Sequence, residues 1–148
     1  MAAGLAHASL LALLMTVTLT DLRARLVPDP ALVAAGLVML AVAALFEPAS
    51  LPERALAALG AGGFLLAAAL IRPEGMGLGD VKLAAVLGLY LGPGVVPALL
   101  AAFLAGSLCG LVLLARHGWA ARSRAIPFAP FLALGALFAL AGGRTAVG

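Results

Sequence analysis

The sequence predicts an all-α, polytopic membrane protein: a single domain over residues 1–148, built as a bundle of six transmembrane helices with both termini outside. Three observations lead there. Of the 148 residues, 65% are hydrophobic and only 10% are charged, far from the balance of a soluble domain. The apolar residues come in long runs broken by Pro, Gly and charge, with no strand-like alternation. Nearly all the basic residues gather in the breaks, on one side of the implied bundle, as the positive-inside rule requires.

The first run, residues 4–20, has no positive segment ahead of Leu10–Leu19, and Arg23 and Arg25 follow it. That order is wrong for a cleaved secretory signal and right for a first helix with its N-terminus outside. The second run, 31–46, is preceded by Pro28-Asp29-Pro30, which reads as a loop end with Asp29 as N-cap and Pro30 at the first helical position. The third covers 54–71. The fourth, 80–91, offers little apolar length before the breaker Gly92-Pro93-Gly94. The fifth, 94–115, holds Gly106 and Gly110 in GxxxG spacing, which points to a close helix contact within the bundle or between copies in a homo-oligomer. The sixth covers 127–142, after a basic loop in which Trp119 reads as an interfacial anchor. Several runs fall short of the about 20 residues that span a bilayer core, so the expected bundle thins the bilayer or tucks helix ends into protein.

Charge decides that the fourth run crosses. With six crossings, Arg23, Arg25, Arg72, Lys82, Arg116, Arg122 and Arg124 lie inside, and only Arg54 and Arg144 lie outside. If the fourth run did not cross, the cluster from Arg116 to Arg124 would move outside and the bias would vanish. The same loops explain the net positive charge, so no nucleic-acid partner is expected; the bilayer is the partner.

The composition excludes several chemistries. Cys109, the one cysteine, sits in an apolar run, leaving no disulfide framework and no CxxC pair. There is no HExxH, so no metal and no cofactor are expected. Ser9, Ser50, Ser107 and Ser123 lack a Ser/His/Asp constellation, and His7 and His117 fall on opposite sides in this topology. A dinucleotide-binding GxGxxG fails because Asp80 occupies the last glycine position.

Two acids remain to be explained. Asp21 ends the first helix and Asp80 begins the fourth, so both reach the inner side of the membrane. A carboxylate at a helix C-terminus is disfavoured by the macrodipole, and something must compensate at Asp21; Arg25 shares its face if the helix continues. Asp80 is welcome at a helix N-terminus and has a sufficient role as a cap. Capping does not explain glycine at every second position, Gly75, Gly77 and Gly79, which leaves a side-chain-free backbone that another extended strand can approach. Two aspartates sharing one proton suit peptide hydrolysis: the ionised one takes a proton from water while the protonated one donates to the scissile carbonyl.

At this point the residues resemble the prepilin peptidases, or type IV leader peptidases, which are membrane aspartic proteases of the GxGD kind. "DLRARLVPD" resembles the family's first aspartate motif, with Asp21 catalytic and Val27-Pro28 where Ile-Pro is usual. "GMGLGDVKL" resembles the second, with Asp80 in the GxGD position. "IPFAPFLALG", residues 126–135, resembles the last-helix motif, with Ala129 in place of a glycine; Asp29 stands where Asn is common. The resemblance implies an aspartic endopeptidase of the cytoplasmic (inner) membrane, with Asp21 and Asp80 as the dyad, cutting a prepilin or pseudopilin after a glycine at the inner boundary. Gly75, Gly77, Gly79, Lys82, Arg25 and Pro28 are expected to shape the site or meet substrate. Arg23 and Arg72 orient substrate or lipid, or only hold the topology. Many members add an N-terminal region with paired CxxC motifs; this sequence starts with helix one, so a peptidase-only form without N-methylation is expected. Two competing readings are a small ion-coupled carrier, since membrane acids mark ion paths, and a catalytically silent assembly subunit.

Overall fold

The computed structural model describes residues 1–119 and 126–142. In them the chain forms six α-helices: α1 (Ala2–Ala24), α2 (Asp29–Phe46), α3 (Leu51–Ile71), α4 (Leu78–Leu91), α5 (Val95–His117) and α6 (Ala129–Ala141). Each coincides with one of the apolar runs to within a turn. Four helical segments are long and apolar enough to cross a membrane, one of them the continuous stretch Leu78–His117 that holds α4 and α5; α6 is a shorter apolar helix. The chain is a multi-pass helical membrane protein. Arg122, Arg124 and Arg144, which entered the charge argument, and Ser123 lie outside the described residues.

Gly92-Pro93-Gly94 ends the fourth run. It forms a single 3₁₀ turn opened by Gly92 at φ 53°, a left-handed angle that costs glycine nothing. Chain direction reverses there. Along α3, Ala58 lies against Gly88 and Gly62 against Ala85, so α4 is antiparallel to α3. Beyond the turn, Phe103 of α5 meets Phe64 of α3, so α5 runs back alongside α3. In turn, Ala98 lies against Gly135 and Gly106 against Phe128, which makes α6 antiparallel to α5.

Lipid tails are as apolar as leucine, so close packing and polar contacts hold such a bundle, not transfer of leucine out of water. The α3–α4 and α5–α6 interfaces are accordingly tight. A Cβ on Gly88 would sit 2.5 Å from the Ala58 Cα, and one on Gly135 would run into the Ala98 carbonyl oxygen. Leu10, Val17, Leu65, Leu83, Leu91 and Leu132 fill the interior, while Leu59, Leu104 and Leu111 face outward among many exposed apolar side chains. Among the described residues, the Gly106–Gly110 spacing marks no helix-to-helix backbone contact. Gly106 lies under the Phe128 ring, and Gly110 opens onto free space.

Two polar knots tie helices together. The Tyr90 hydroxyl donates to the Ala35 carbonyl at 2.8 Å and lies 2.9 Å from Ser9 Oγ, joining α4, α2 and α1. Arg54, only 1% exposed, donates to the Leu89 and Tyr90 carbonyls at the C-terminal end of α4, to Ser50 Oγ, and to Glu47 at 3.1 Å. A cation there satisfies carbonyls that the end of a helix leaves without partners, and it meets the negative end of the dipole.

Candidate active site

Asp21 lies in the last turn of α1, which stops at Ala24. Arg25 takes the left-handed conformation, φ 52° and ψ 38°, and its N–H bonds the Asp21 carbonyl. The chain then crosses through Leu26 and Val27 to Pro28, the N-cap of α2. Asp29 is therefore the first residue of the helix and not its cap, and its side chain makes no capping bond. It pairs instead with Lys82 of α4, Oδ2 to Nζ 2.8 Å, both side chains more than half exposed.

Asp80 lies in the first turn of α4, whose N-cap is Gly77. Its carboxylate lies back toward the Gly77 backbone N–H, which favours its charged form, as a side chain in the first turn does when it reaches toward the cap. Helix α4 starts at Leu78, so Gly79 is already helical and the three glycines are not one extended stretch. Gly79 has its own reason to lack a side chain: a Cβ would stand 2.8 Å from the Val27 Cβ. Val27 and Gly79 thus lock the turn after α1 onto the first turn of α4. That contact brings the two acidic segments together.

The compensation required at Asp21 comes from α6. Ala129 is the first residue of α6, where backbone N–H groups have no partner inside the helix, and its N–H favours the charged form of the Asp21 carboxylate. The end of one helix that repels an anion is offset by the start of another that attracts it. Arg25 adds a weaker through-space attraction. The other oxygen, Asp21 Oδ2, is buried and has no hydrogen-bond partner among the described residues.

Asp21 and Asp80, 6% and 8% exposed, line one cavity of about 270 Å³ with Arg25, Gly75 and Gly77, and the charge of Asp21 acts directly on Asp80. Two like charges confined together are an expensive arrangement unless they share a proton. The rest of the wall is Pro73, Glu74 and Met76 from the loop before α4, and Ile126, Pro127 and Phe128 before α6. Of the sequence-derived candidates, Asp21, Asp80, Arg25, Gly75 and Gly77 meet at this cavity. Gly79, Lys82 and Pro28 do not line it: Gly79 supports it through Val27, Pro28 starts α2, and Lys82 holds Asp29. Glu74 and Phe128 were not singled out as site residues in the sequence. Adjacency to Gly75 and membership of the "IPFAPFLALG" stretch were the available signals.

Residues 8–115 match the type IV leader peptidase family. The chain belongs to that family. The match runs from within α1 to within α5 and includes both acids, whereas Ile126, Pro127 and Phe128, which complete the cavity wall, lie beyond it. Two relatives, from Aeromonas salmonicida (strain A449) and Aeromonas hydrophila, are each named prepilin leader peptidase/N-methyltransferase and are 46% identical over 70 residues, 45% of this chain. The aligned stretch spans 23% of the length of those relatives. No solved structure matches the chain.

Proposed function

We propose that this member of the type IV leader peptidase family is an aspartic endopeptidase of the cytoplasmic membrane that removes the leader of a prepilin or pseudopilin. The single observation that carries the proposal is the presence of Asp21 and Asp80 in the wall of one cavity, with Asp21 Oδ2 buried and without a partner among the described residues. Membership of the family and the names of the Aeromonas relatives support it.

In this reading a water sits between the carboxylates. The ionised aspartate removes a proton from it as its oxygen attacks the scissile carbonyl carbon, and the protonated aspartate donates to the carbonyl oxygen. Collapse of the tetrahedral intermediate passes a proton to the leaving nitrogen and returns the pair to its shared-proton state. The Ala129 and Gly77 N–H groups favour the charged forms of the two acids. Both acids lie at one end of the bundle, away from mid-helix depth, which fits cleavage at a membrane boundary better than an ion path through the bilayer centre.

Co-expression with a candidate prepilin, with leader removal read by gel shift, tests the reading. Wild type should shorten the substrate, and Asp21→Asn or Asp80→Asn should leave it full length while remaining in the membrane fraction. Normal processing by either variant rejects the shared-proton mechanism.

A further inference from the structure

We propose that the groove between α3 and α5 receives the apolar transmembrane helix of the substrate and leads its scissile end to Asp21 and Asp80. This rests on the proteolytic reading above and adds to it the path by which substrate reaches the acids.

The groove exists because α3 packs chiefly on α4, and α5 chiefly on α6, leaving α3 and α5 in sparse contact. Its volume is about 550 Å³, walled by Leu56, Gly60 and Phe64 of α3 and by Val96, Leu100 and Phe103 of α5. Leu56, Val96 and Leu100 are 70%, 57% and 60% exposed, so the groove opens toward lipid. Its far end lies at Glu53 and Pro93, near the Arg54 end of the bundle. From Glu53 to Phe64 the wall rises roughly 16 Å, about three turns of an accommodated helix.

A chain of ring contacts to the aspartate cavity favours a substrate helix over a lipid tail as occupant. Phe64 meets Phe103 edge-on at 6.0 Å, Phe103 meets Phe128 at 5.3 Å, and Phe128 is itself a wall of that cavity. One aromatic row therefore runs from the groove to the acids. A scissile bond held between Asp21 and Asp80 is followed by the substrate's own apolar segment, which must leave the cavity along an apolar path, and this row is such a path. A Cβ at Gly60 would meet no atom of the described residues within 4 Å, so the groove has open space there.

That same open space gives a clean test, since Gly60→Leu fills the groove without an internal clash. With wild type and variant reconstituted alongside a full-length prepilin, Gly60→Leu should slow cleavage about tenfold or more. Gly4→Leu, an equally open position on α1, should stay within about twofold of wild type. Cleavage by Gly60→Leu at the wild-type rate, or equal slowing by both variants, overturns the inference. As a second measurement, a photo-crosslinking residue at position 100 in the Asp80→Asn background should capture the apolar helix of the substrate; capture of lipid alone overturns the inference. A wild-type protein that never cleaves the prepilin removes the proteolytic reading first, which distinguishes that failure from an unused groove.

Discussion

Arg54 at one end of the bundle, and Asp21 with Asp80 at the other, are the buried charged side chains among the described residues, and their surroundings differ in kind. Arg54 has a carboxylate, a hydroxyl and two backbone carbonyls arranged around its guanidinium. Asp21 and Asp80 each have the favourable influence of one backbone N–H, no ion pair among the described residues, and each other. Opposite charge and matched donors make the first cluster a fastening. Like charge and an oxygen with no partner among the described residues make the second a poor fastening, which fits the proton-sharing role proposed for it. The difference shows how a buried charge that stabilises a membrane bundle is told from one retained in spite of its cost.

The largest effect expected from breaking this contrast is at the acids. Asp21→Asn or Asp80→Asn should lower leader cleavage by about 10³-fold or more. Neither should lower the unfolding temperature in detergent, because each removes one of two confined like charges. A variant that loses stability in step with activity would place the acids with the fastenings. At the other end, Arg54→Met should cost about 3–5 kcal/mol, since it strands Glu47 and the carbonyls of α4. Denaturant titration in micelles measures this, and cleavage per folded molecule should be unchanged. An Arg54 variant that is inactive but fully stable would dissolve the distinction.

Two smaller effects sharpen it. Gly79→Val should cost about 1–3 kcal/mol through collision with Val27. It should also reduce activity beyond that loss, because the collision parts the segments carrying Asp21 and Asp80. Val27→Gly in the same chain should restore part of both, as read by melting and by cleavage rate. Lys82→Ala breaks an exposed ion pair with Asp29 and should change stability by less than about 1 kcal/mol. Its cleavage rate should stay within about twofold of wild type; a large loss would bring Lys82 to the substrate and not only to Asp29.

Most of the architecture was legible in the sequence, for a physical reason. In a bilayer each backbone polar group must be satisfied within its own helix, so a crossing segment is written as a local apolar run with its breakers. The runs ending at Phe46, Ile71 and Leu91 stop in the structure where the sequence stops them. The aspartates were legible too, as acids that neither composition nor capping fully accounted for. What surrounds them was not. That Ala129 answers the macrodipole at Asp21, that Val27 is the reason Gly79 is glycine, that Asp29 pairs with Lys82, and that Arg54 ties off α4 all depend on which helices become neighbours. Lateral order in a bundle is set by pairwise fits of small and large side chains between segments remote in the chain, and a linear pattern carries no record of such pairs. By itself the sequence determined how many helices the described residues form, where most of them end, and the identity of the odd acids. Tertiary structure alone decided that the acids meet, because only packing brings the end of α1, the start of α4 and the start of α6 to one point.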